Sequence, residues 1–123
     1  MHHHDLREAR IARDETAVQL LRESLLIRHQ LGELKGMTYS LNAIAMIMEN
    51  LGDSLLAAKL EAAAAKIRRE LGVPIAPATL AENENFVKKI REKLGDTSFE
   101  QAWGAGQFMS QEQVVALAMG KVE

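Results

Sequence analysis

At 123 residues and a formal net charge of −2, the chain is sized for one domain with a modest core. It has no cysteine, which excludes disulfide frameworks, thiolate metal sites and cysteine nucleophiles. The near balance of charge argues against a nucleic-acid binder that works by neutralising phosphates.

Met1-His2-His3-His4 reads as a truncated purification tag or a tag scar; a metal-binding imidazole tract is the functional alternative. Charged residues from Arg7 to Asp14 interrupt any apolar region of a signal peptide. No apolar stretch nears the roughly 20 residues a bilayer span needs, so no membrane partner and a cytoplasmic location are expected. Two prolines and abundant Ala and Leu favour long helices, and no alternating strand pattern stands out.

The punctuation is the dipeptide Leu-Gly, at Leu31-Gly32, Leu51-Gly52, Leu71-Gly72 and Leu94-Gly95. Glycine just past a periodic apolar segment ends helices. The first helix is predicted from Leu6 to Leu31, capped by Asp5, with Asp14 able to start a fresh helix after a break near Arg13. Its apolar stripe is Ala17, Leu20, Leu21, Ser24, Ile27, Arg28 and Leu31, widened by Leu25 and Leu26. The second helix, Leu34 to Leu51, presents Met37, Leu41, Ile44, Ala45 and Met48. Asp53 or Ser54 caps the third, Leu55 to Leu71, whose stripe holds Leu56, Leu60, Ala63, Ala64 and Ile67. The run Ala62 to Ala65 leaves one side thin enough for a close neighbour.

Gly72-Val73-Pro74-Ile75-Ala76-Pro77 is a linker, since proline removes donors and fixes φ. As a polyproline-groove ligand it is too short to be specific. Pro77 suits the first turn of a fourth helix ending at Leu94. Thr97 to Glu100 and Ser110 to Gln113 read as capping boxes that start two short helices. Gly104-Ala105-Gly106 lacks the context of a phosphate loop and instead lets Trp103 and Phe108 fold back.

Sliding the chain by 40 residues lays Leu31-Gly32 on Leu71-Gly72. Ala17 then meets Ala57, Leu20 meets Leu60, Ile27 meets Ile67 and Arg28 meets Arg68. The first and third helices are thus copies of one position, with an antiparallel helix between them.

Gly36-Met37-Thr38-Tyr39-Ser40-Leu41-Asn42-Ala43-Ile44-Ala45, followed by Leu51-Gly52-Asp53 and by Ala57 and Ala64, resembles a tetratricopeptide repeat. It departs from the pattern at Glu61, where an aromatic is usual, and at Arg69, where proline is common. Leu-Arg-Glu-Ser-Leu at 21–25, Leu71 to Pro74, Phe99 to Gly106 and Ser110 to Met119 narrow the likeness. Their order is similar to the C-terminal repeat region of bacterial signal-transduction ATPases coupled to a LuxR-like or related DNA-binding domain. The resemblance implies a right-handed superhelix of antiparallel hairpins with C-terminal capping helices. It also implies that the chain is a fragment of such a regulator.

In such arrays partners bind the concave face. The resemblance places Tyr39, Asn42, Met46, Glu49 and Asn50 there, at three- and four-residue steps on the second helix. That face could equally pack on the next helix or stay solvated. The basic clusters Lys66, Arg68, Arg69 and Lys88, Lys89, Arg91, Lys93 offset helix dipoles rather than form a nucleic-acid patch. No catalytic constellation and no metal or cofactor site is visible.

The expectation is an all-α, non-catalytic protein–protein interaction scaffold. Residues 1–4 would be a tag or disordered terminus, 5–72 repeat-like helices, 73–77 a linker, 78–119 a helical cap and 120–123 a disordered tail. Its partners would be other domains of a parent regulator or a signalling protein, without direct nucleic acid. One alternative is a homodimerisation domain that buries the wide stripe of the first helix. Another is a small-ligand bundle with its six methionines around a pocket.

Overall fold

All four Leu-Gly dipeptides end helices, with Gly32, Gly52, Gly72 and Gly95 at positive φ. At Gly72 the backbone shows why: its φ of +69° lets Val73 N–H reach the Arg68 carbonyl at 3.0 Å and closes the last turn. The structure, a computed structural model, describes residues 3–120. Those residues are all-α, with no strand among them. The helices are α1 (His3–Gln30), α2 (Leu34–Asn50), α3 (Ser54–Leu71), α4 (Pro77–Leu94), α5 (Asp96–Gln107) and α6 (Gln111–Ala118).

Most starts follow local chemistry. Asp53 caps α3 by accepting from Leu56 N–H at 3.1 Å. Pro77 sits in the first turn of α4. Ser110 and Gln113 form the reciprocal capping box of α6, at 3.1 and 2.9 Å. Two starts differ from the sequence reading. The helix α1 is already formed at His3, so Asp5 lies inside it, and it runs unbroken past Arg13 with Asp14 in helical backbone. The helix α5 begins at Asp96 behind Gly95, so Thr97 is not its cap. Met1, His2 and residues 121–123 lie outside the described residues, so the expected tag and tail fall partly there.

The helix α3 is the central element. It packs against α2 on one side and α5 on another, with α4 and α6 completing its surroundings. Ala57, Ala58, Leu60, Ala62, Ala63, Ala64 and Ile67 are buried on it, so small residues let neighbours approach from several directions. The approach of α5 is closest at Gly106: a methyl group there would strike the Lys59 carbonyl oxygen and lie 2.8 Å from Ala62 Cβ. Gln107 reinforces the contact by donating to the Ala62 carbonyl at 2.7 Å. The chain then returns, and α6 packs on α1 and α3, where Arg22 Nε donates to the Ala118 carbonyl at 2.8 Å.

The antiparallel order α1–α2–α3 is as expected, with α2 between its neighbours. Arg28 secures the first turn by donating to the Gly36 carbonyl at 2.8 Å and the Ser40 hydroxyl at 3.1 Å. The buried side of α1, however, is Val18 and Leu25 with Leu21 beside them, while Leu20, Ile27 and Leu31 face outward. The expected stripe is rotated because, among the described residues, α1 is covered mainly by α2 and α6, whereas α3 is covered on more sides. Phe108 does not fold back either: it is 89% exposed, since the last turn of α5 carries it past the end of the core. No helix among the described residues is long and apolar enough to cross a membrane.

Candidate functional site

The linker after α3 runs past the outer face of α2 before α4 begins. Between them lies a cleft of about 330 Å³. Tyr39, Asn42 and Met46 line it from α2, at the three- and four-residue steps that put them on one helix face. Val73 to Ala76 form the linker wall, and Thr79, Glu82 and Asn83 enter from α4. Tyr39 stands on the rim, 60% exposed.

The floor is a closed polar network. Glu61 sits on α3 with 1% exposure and acts purely as acceptor. Asn42 Nδ2 donates to its Oε1 at 2.6 Å and to Asn83 Oδ1 at 2.8 Å. Asn83 Nδ2 and Arg68 Nη2 both donate to Oε2, the former at 3.3 Å. Three helices, α2, α3 and α4, are thereby tied to one carboxylate. The arrangement places a fixed set of amide and guanidinium groups beneath an apolar-walled opening. Its chemistry is hydrogen bonding and apolar contact.

Of the five residues expected to share a partner-binding face, the structure brings Tyr39, Asn42 and Met46 together. The other two it places apart. Glu49 is 2% exposed, accepts from Ser54 Oγ at 2.7 Å and ion-pairs with Lys93 Nζ at 2.7 Å. It braces α2 against α3 and α4 and is closed to a partner. Asn50 lies at the far end of α2 beside Arg10 and Asp14 of α1. One turn of drift along the helix is enough to move the face from open cleft to packed interior.

Sequence reasoning missed the floor and the linker wall. Glu61 was visible only as a departure from the repeat pattern, a single acid next to a run of alanines. That was the available signal: an acid on an otherwise apolar helix face needs donors nearby. Asn83 carried no such signal.

Much of the two basic clusters is engaged internally, while Lys88 and Lys89 are exposed. Arg68 serves Glu61, Lys66 Nζ donates to the Met109 carbonyl at 3.3 Å, and Arg69 donates to Gln107 at 2.9 Å. Arg91 bridges Asp96 and Glu100 and lies over the Phe99 ring at 4.3 Å. Among the described residues the methionines do not surround one cavity. Met37 and Met48 are in the core, Met46 lines the cleft, and Met109 lies beside Phe108. No group of three or more His, Asp or Glu among the described residues could hold a metal ion. No protein-family model, curated protein or solved structure matches the chain.

Proposed function

We propose that the chain is a non-catalytic protein–protein interaction scaffold, and that a partner's peptide segment seats in the cleft beside Tyr39. The observation that carries this reading is the pairing of an exposed aromatic rim with a preset polar floor: Tyr39 above Asn42, Asn83 and Arg68. Aromatic side chains beside a shaped pocket are what hot spots in interfaces are made of. Because the floor groups already hold each other in place, a bound segment would lose little energy to ordering them. The 40-residue register and the order of motifs support placing the chain in the repeat region of a bacterial signal-transduction ATPase. In that setting it would relay regulatory contacts rather than perform chemistry.

The test is selection of a random dodecapeptide library displayed on phage against the wild-type protein, counter-screened on Tyr39→Ala and Thr79→Arg. Enrichment of clones that bind wild type and lose at least tenfold affinity on both variants is expected. Clones indifferent to both substitutions, or no enrichment at all, would remove the cleft as a binding site. Asn42→Ala is unsuited to this purpose, because it also removes two internal hydrogen bonds.

A further inference from the structure

The outward face of α1 is organised, not incidental. Leu6, Arg13, Leu20 and Ile27 recur at strict seven-residue steps, and Arg10, Ala17, Ser24 and Leu31 stand four residues after each. Alternating steps of four and three are the seam of a left-handed coiled coil. Leu6, Leu20, Ile27 and Leu31 on that seam are 55%, 63%, 55% and 73% exposed. The face opposite them, Val18 and Leu25, is the one packed on the rest of the protein.

Two further facts say what covers it. The first is internal repetition. Ala17, Leu20, Ser24 and Ile27 correspond to Ala57, Leu60, Ala64 and Ile67, which are all buried on α3 with antiparallel α2 packed against that helix. Such a face takes an antiparallel helix. The second is self-complementarity. When α1 is laid antiparallel on a second α1, with residue numbers in each layer summing to 37, every seam position finds a seam partner. Leu6 meets the partner's Leu31, Arg10 the partner's Ile27, Arg13 the partner's Ser24, and Ala17 the partner's Leu20. Large residues meet small or flexible ones at the centre, and leucines close both ends. Arg13 then lies beside the partner's Glu23, one residue from its Ser24 layer, so one of the two seam cations is matched by an exposed acid, while the other, Arg10, lays its aliphatic stem on the partner's Ile27.

The length of α1 fits the same picture. It has 28 residues against 17 in α2, so some 11 residues, about 16 Å at 1.5 Å each, extend beyond its neighbour. An overhanging helix of that length gains little from local propensity alone. Pairing would cover it along a seam about 37 Å long from Leu6 to Leu31.

We propose that two copies of this chain associate through α1, antiparallel and two-fold symmetric, in the register that sets Leu6 against the partner's Leu31. The proposal is independent of the cleft reading, because the cleft lies on α2 and α4.

The absence of native cysteine makes the test direct. Sedimentation equilibrium of the full chain is expected to show twice the 13.6 kDa monomer mass as concentration rises from micromolar to millimolar. Leu20→Glu, at an exposed position, is expected to abolish the dimer while far-UV circular dichroism keeps the helical signal. Arg13→Glu and Glu23→Arg are each expected to weaken it, and the double swap to restore it. In a Leu6→Cys/Leu31→Cys variant, oxidation is expected to give a covalent dimer, and each single variant is expected to give none. A monomer throughout the concentration range would overturn the proposal. So would cross-linking of either single variant, which would mean parallel pairing, and so would a dimer insensitive to Leu20→Glu.

Discussion

Asn42 on α2 and Asn83 on α4 meet amide to amide at 2.8 Å, and both donate to the same buried carboxylate, Glu61 on α3. With Arg68 completing the set, the join to α4 carries a buried polar network beside its apolar contacts through Phe86 and Ile90. A buried ion pair of this kind adds little relative to a well-packed apolar core, but removing one partner leaves the other charge uncompensated. Arg68→Ala is therefore expected to destabilise the protein by about 3 kcal/mol in urea unfolding. Glu61→Gln/Arg68→Met, which removes both charges, is expected to cost clearly less than Arg68→Ala. Equal losses for the two variants would show that the pair is not coupled.

Two glycines in α5 separate close packing from helix propensity. Gly106 abuts α3, where a methyl group meets the Lys59 backbone that has no means to move aside. At Gly104 a methyl group would meet nothing within 4 Å, and the backbone there is ordinary helix. Gly106→Ala is expected to cost about 1–3 kcal/mol through overpacking. Gly104→Ala is expected to stabilise by about 0.5–1 kcal/mol, because alanine loses less entropy on entering a helix. Thermal melts of the two variants should move in opposite directions.

The helices were legible in the sequence because their boundaries rest on local chemistry. The left-handed glycines, Asp53, Pro77 and Ser110 act on their own turns and need no distant partner. Failures came where tertiary surroundings decide. Thr97 has no capping role because Gly95 lets α5 start two residues sooner, at Asp96. Tyr39, Asn42 and Met46 share a face by spacing alone, but nothing local shows that Lys93 reaches across to Glu49 and closes the end of that face. Glu61 was likewise a mark against the repeat pattern until α4 brought Asn83 to it.

The repeat-related leucines measure the same distinction. Leu20 and Leu60 align in the 40-residue register of the sequence, yet Leu60 is fully buried and Leu20 is 63% exposed. Leu60→Ala is expected to cost about 2–5 kcal/mol, the range for a leucine cut back inside a core. Leu20→Ala, measured at submicromolar protein, is expected to stay within about 0.5 kcal/mol of wild type. A large loss at Leu20 under those dilute conditions would mean that α1 is packed on its other side.

The last helix offers a test of how far capping alone sustains structure. The helix α6 has eight residues, too few to be stable by propensity, so its order depends on its ends and its contacts. At its start Ser110 and Gln113 satisfy each other's backbone N–H groups; at its end Arg22 binds the Ala118 carbonyl. Ser110→Ala is expected to cost about 1 kcal/mol. The loss should be local: amide hydrogen exchange in Val114 to Ala118 should accelerate severalfold while Leu41 and Ile44 in α2 keep their protection. Uniform acceleration across α2 and α6 would show instead that α6 unfolds only with the whole domain.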